Sequence, residues 1–360
     1  MKRRILFFAT AICLLGIAVS SASTAASPGT KSFSVKSGGM LVVDVKMGEI
    51  SLEPWEKGEV AVEARGIPEE EAKNLLIEQT GDDVRVTFDP SHRRRNWNGP
   101  FFRIRVPAHY NADLHTGGGR IEERGALNGT FDATSGGGEV QVEHIIGNVK
   151  VKTGGGEIGI DAVDGDAELR TGGGQMNIHH VSGELVVVTG GGQIHIEGAQ
   201  KSLEVKTGGG SIDVTDAPAG TRLSTGGGSL DVNGSRGRVK VSTGGGHLEL
   251  RNLTGSVEAS TGGGSVSAEL DPTDAEPSTV TTGGGDIEFS VPPNAKATIH
   301  ATIRLDDASP GDYDITSEFE AQKKNDSSDN DEIDRTYVLN GGGQEIRLKT
   351  TNGNIEIRKK

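Results

Sequence analysis

Acids and histidines are the side chains of this 360-residue chain that could move protons or hold a metal, since its one cysteine, Cys13, lies in an N-terminal apolar run. His179, His195 and Asp213 are the nearest approach to a ligand set. They could meet one cation on an outer face, but no tight ligand spacing surrounds them, and their parity points them away from a core. Surface histidines, and no metal, are expected. Glycoside hydrolysis needs two carboxylates about 5–10 Å apart across a cleft. With 51 acidic residues such pairs arise by chance, and short uniform connections leave little chain to wall a cleft. Gly154-x-Gly156-x-x-Gly159 has the spacing of a dinucleotide-binding turn, which works between a strand and a helix. Here it lies between strands, so no cofactor is expected. Calcium-binding nonapeptides need a recurrent Asp that these repeats lack, and no segment fits an EF-hand loop. Backbone N–H nests at stacked Gly turns could meet an anion. A net charge of −14 opposes a polyanion there, and it opposes nucleic acid and anionic lipid as partners.

A repeat positions all of these residues. Gly-Gly-Gly recurs every 18 residues behind Thr153, Thr171, Thr189, Thr207, Thr225, Thr243 and Thr261. Ser135 leads the same triplet one period upstream, and outlying copies follow Thr116, Thr282 and Asn340. The central glycines are Gly155, Gly173, Gly191, Gly209, Gly227, Gly245 and Gly263. In the unit 203–220, Leu203 and Val205 alternate with Glu204 and Lys206, and Ile212 and Val214 with Ser211 and Asp213. That is two period-2 strands with glycine between them. A second Gly series precedes the first strands at Gly147, Gly165, Gly183, Gly237 and Gly255, interrupted at Lys201 and Ala219.

Two strands and two corners per 18 residues predict an all-β parallel β-solenoid (β-helix) with TGGG corners, advancing about 4.8 Å per coil. Each coil buries about four aliphatic side chains at roughly 1.5–3 kcal/mol apiece, so a stack folds where one coil cannot. Glycine is expected at the corners for positive φ and for the missing side chain, so Gly209→Val is expected to clash between rungs. The threonines share the inward parity of the aliphatics and are expected as an interior ladder whose hydroxyls satisfy corner backbone groups. An exposed ladder of the ice-binding kind is the other arrangement. Outward positions carry charges of both signs on the first strands (Lys150, Glu168, Arg222, Lys240, Glu258) and amides and acids on the second (Gln175, Gln193, Asp213, Asp231).

The flanks depart from this rhythm. Residues 1–26 read as an export signal: Lys2, Arg3 and Arg4, then an apolar Ile5 to Val19, then small residues. The apolar run is short for a membrane span. The remaining chain has no cysteine and no later apolar span, so disulfides, thiol chemistry and a transmembrane segment are not expected, and the location is periplasmic, cell-surface or extracellular. Residues 27–110 read as a β-rich cap with degenerate rungs such as 47–52, a short helix over 68–77 behind Pro68, and a strand from Phe101 to Val106. Trp55, Trp97, Phe101 and Phe102 are expected to cover the open end, and His92 to Arg95 to form a solvated loop. Residues 111–290 form the regular solenoid. Residues 291–360 hold an acidic loop, 306–334, and the last rungs, 341–348 and 351–357.

The tandem TGGGxIxI units, the strand-then-proline FFRIRVP before HTGGGRIEERGALNG, and the closing LKTTNGNIEIRK resemble the bacterial "putative adhesin" family of Gly-rich β-strand-repeat proteins, a domain of unknown function. The chain is also similar to head domains of autotransporter adhesins over about residues 35–358, without their C-terminal barrel. The resemblance implies a β-solenoid in an exported envelope protein and brings no catalytic residues. The function expected is that of a non-catalytic exported scaffold, adhesin-like or envelope-associated, whose partner is an envelope polymer, glycan or protein. A β-helix polysaccharide lyase or glycosidase is the alternative, and an envelope stress-linked sensor or assembly partner a third.

Overall fold

A computed structural model describes residues 30–91, 97, 99–273, 276–306, 312–325 and 331–360. The expected export signal, Cys13 and His92–Arg95 lie outside the described residues. The fold is all-β, with 31 strands among the described residues and one 3-10 helix, Glu69–Asn74, capped by Pro68. The strands form two long ladders that face each other across the core. In one, Phe131, Val149, Ala167, Leu185 and Leu203 stand on one another in parallel register. In the other the column is Val140, Ile158, Met176, Ile194, Ile212, Leu230, Leu248 and Val266. The alternation that drives this is visible strand by strand: Val149–Thr153 buries Val149, Val151 and Thr153 and leaves Lys150 and Lys152 outside. These two inward columns are apolar and almost fully buried, so each rung adds apolar area against the rungs above and below it.

The threonines are interior. Thr225 Oγ1 donates to Gly210 O at 2.8 Å and accepts from Gly228 N at 3.2 Å, and Thr153, Thr171, Thr243 and Thr261 repeat both bonds. Each hydroxyl therefore ties its own turn to the carbonyl of the preceding rung, which satisfies two corner groups inside the protein.

The glycine requirement differs from the expectation. A Cβ on the first or third glycine, such as Gly208 or Gly210, would lie under 3.0 Å from a carbonyl oxygen of the preceding rung, Gly190 O or Gly192 O. The central glycines Gly155, Gly173, Gly191, Gly209, Gly227, Gly245 and Gly263 have open space around the same position, and none has a left-handed φ. The expected clash for Gly209→Val is thus corrected: close approach of stacked backbones, at the outer members of the triplet, is what demands glycine there. Positive φ belongs to the other corner, at Gly147, Gly237 and Gly255.

The ends are built by strands that pass outward and back. Asp83–Phe88 and Phe101–Pro107 lie outside Met40–Val45 and Glu49–Trp55, which precede them in sequence. Antiparallel strands Thr30–Ser34, Glu59–Arg65 and Leu75–Thr80 complete that end. Phe102 is fully buried there and Trp97 packs edge-on to Phe88 at 6.1 Å. At the other end Gln344–Thr351 and Ile355–Lys359 pair inward with Ser278–Thr282 and Ile287–Val291. Ala297–Arg304 and Ile315–Ser317 then pair on their outer side. The closing rungs expected as last are therefore not outermost. The acidic segment 306–334 is not loop throughout either, since Ile315–Ser317 and Lys323–Asn325 are strands within it.

Candidate functional site

Parallel stacking brings together side chains one rung apart, and this decides the polar face of the second ladder. His179 stands beside Glu197, not His195: His179 Nδ1 is 3.1 Å from Glu197 Oε2. His195 Nε2 is 3.1 Å from Glu197 Oε1 and its Nδ1 is 3.3 Å from Asp213 Oδ2. The result is an exposed chain of His179, Glu197, His195 and Asp213. Glu197, then Asp213, hold His195 above the usual histidine value, against the effect of its partial burial. His195 and His179 in turn hold Glu197 below the usual carboxylate range. Gln175 and Gln193 pair one rung apart at 3.4 Å, and Arg251 grips Asp231 at 2.8–2.9 Å. Among the described residues no three acids or histidines converge to hold a metal.

The first ladder carries a broad open groove of 720 Å³ over rungs 112–186. Lys150 and Glu168 face each other there at 3.6 Å, and Arg170 binds Glu168 at 2.6 Å. Asp132 lies in register with Asp113 on the neighbouring strand. Burial, then the Asp113 charge, push the Asp132 carboxyl up. Elsewhere on this face Lys240 meets Glu258 at 2.7 Å, so opposite charges do pair across rungs.

The Glu123 carboxyl is buried inside the stack of rungs. The rung from Thr116 to Ser135 has 19 residues, and the extra residue makes a bulge: Val142 pairs with Glu123, but His144 pairs with Ala126. Gly125 takes φ +111° within it. Two N–H groups of the adjoining strand, Glu143 and His144, donate to Glu123 Oε2 at 3.1 and 3.2 Å. Glu123 is 1% exposed and its Oε1 has no hydrogen-bond partner among the described residues. Burial pushes its carboxyl up to about 8, despite the two N–H donors. Glu123 was missed in the sequence, although it occupies the inward place that Val142, Ile160 and Ile178 hold in later rungs.

Residues 200–358 match the family model described as Toastrack DUF4097, a domain of unknown function. No curated protein matches the chain. Among solved structures it is similar to a "putative adhesin" from Bacteroides fragilis, at 13% identity over 92% of this chain and 96% of that one, with a TM-score of 0.24. It is also similar to a "putative cell adhesion protein" from Clostridium sporogenes, at 9% identity over 92% and 99%, TM-score 0.18. A "putative lipid binding protein" from Parabacteroides distasonis is similar at 11% identity over 91% and 95%, TM-score 0.21.

Proposed function

We propose that the chain is an exported, non-catalytic β-solenoid of 18-residue coils with TGGG corners, and that it works as a binding scaffold in the cell envelope. The observation that carries the reading is the organisation of its outer faces. Stacking repeats one polar pattern over successive rungs, so Gln175–Gln193, His179–Glu197 and His195–Asp213 form a continuous hydrogen-bonding strip. A strip of this kind meets an extended partner at several points along its length, and many weak contacts then add. The basic and apolar start of the sequence supports export. An envelope polymer, glycan or protein is the partner class.

The test is face-directed. Purified protein is screened against envelope polysaccharides, glycans and whole cells, with a variant carrying H195A, D213A and D231A. Saturable binding weakened at least tenfold in the variant supports the reading. Binding unchanged in the variant opposes it.

A second reading rests on Asp132. A carboxyl pushed up by burial and by a partner carboxyl on the adjacent strand, in an open groove, has the environment of the acid in a glycosidase pair. Release of reducing ends from a polysaccharide by the native chain, lost in D132N, would favour it.

A further inference from the structure

The second corner changes character where its Gly series is interrupted at Lys201 and Ala219. The inward column running past this corner is Leu127, Ile145, Val163 and Val181, each in register with the next. It then falls to Ala199, Ala217 and Ser235 before returning to Leu253 and Leu270. Three small residues in succession, with Pro218 and Ala219 beside them, open a hollow of 660 Å³. Ser235 lines it at 6% exposure; its hydroxyl is closed off from solvent and, among the described residues, finds no hydrogen-bond partner. Lys201 and Arg236 stand on its rim, and among the described residues no side-chain hydrogen bond or ion pair engages either. Asp216 is the one acid in the lining. The groove on the first ladder, by contrast, is lined by five acids and two bases.

We propose that this hollow binds a small polyhydroxylated carboxylic acid, a sugar acid, with its carboxylate between Lys201 and Arg236 and its hydroxyls toward Gln200, Asn252 and Thr254. The proposal deepens, and rests on, the binding-scaffold reading. Lys201 and Arg236 lie two rungs apart, about 10 Å along the stack, which two long side chains can close around one carboxylate. The alanines and Pro218 give the ring an apolar floor. The overall charge of −14 repels a polyanion at long range, so a single acid group suits the site better than a highly sulfated chain.

The experiment is an amide NMR titration of the purified protein with D-galacturonate, D-galactose and inorganic phosphate, repeated on K201Q, R236Q and S235V. The expected result is saturable shifts at Ser235, Arg236 and Thr254 with galacturonate, at least tenfold weaker with galactose and with phosphate. Each rim variant should weaken galacturonate binding at least tenfold. S235V restores an aliphatic to the column and should abolish binding without lowering the melting temperature. No binding of galacturonate, equal binding of galactose or of phosphate, or binding unchanged in the rim variants would overturn the proposal. Whole-cell binding retained by K201Q/R236Q, together with failure of the titration, removes the sugar-acid site and leaves the scaffold reading standing.

Discussion

Replacing Glu123 with glutamine should remove a pH dependence that the native fold carries. The carboxyl is pushed from an ordinary 4.5 to about 8 by burial, so the folded state binds its proton more tightly than the unfolded chain does. Its contribution is fully present below 4.5, is lost progressively as pH rises, and is gone above about 8. At 1.36 kcal/mol per pH unit the full span is about 5 kcal/mol, and local opening of the bulge limits the observable part to about 2–5 kcal/mol. The Gln side chain keeps an oxygen for the Glu143 and His144 N–H groups and cannot ionise. E123Q should therefore match the native protein at pH 4.5 and exceed it by about 2–5 kcal/mol at pH 9. E123L should be the less stable of the two variants at every pH, because it strands two buried donors at a cost of about 1–3 kcal/mol each. The assay is denaturant unfolding from pH 4.5 to 9, alongside hydrogen exchange at 143–144. Parallel pH profiles for the native protein and E123Q would refute the assignment of a buried, protonated Glu123.

Three further outcomes follow from the corners and the outer strip. Gly210→Ala should destabilise by about 3 kcal/mol or more, since its Cβ runs into Gly192 O, whereas Gly209→Ala should stay within about 1 kcal/mol of native, as thermal melts will show. Thr225→Val, which keeps the volume and removes the bonds to Gly210 and Gly228, should cost about 1–3 kcal/mol in denaturant unfolding. His195 should titrate above an ordinary histidine by NMR, and E197Q should bring its midpoint down, because Glu197 is the larger of its two anionic partners.

The body of the fold was legible because inward and outward parity is a local property: Leu203, Val205, Ile212 and Val214 declare their faces without reference to anything distant. Parity also placed Thr225 inside. Which glycine is crowded depends on where the rung below puts its carbonyl, and no triplet carries that information. The same holds for the termini, where Gln344–Thr351 pairs with Ser278–Thr282 across some seventy residues of chain. His179 and His195 looked like neighbours by spacing, yet stacking assigns His179 to Glu197. Glu123 was in view as a charged residue at an inward place, and its 19-residue rung was in view as a broken period. Only the paired register of the bulge joins the two facts. The interruption of the Gly series at Lys201 and Ala219 was likewise visible, but the hollow beneath it needs Ala199, Ala217 and Ser235 in one column.

The central claim is binding without turnover, and one measurement meets it directly. Purified protein is incubated with isolated envelope polysaccharide, and bound protein and polymer length are followed in the same samples over time. The account predicts saturable, reversible binding that weakens in the H195A, D213A and D231A variant while polymer length stays constant. Polymer shortening that is lost in D132N would contradict it and make the chain an enzyme.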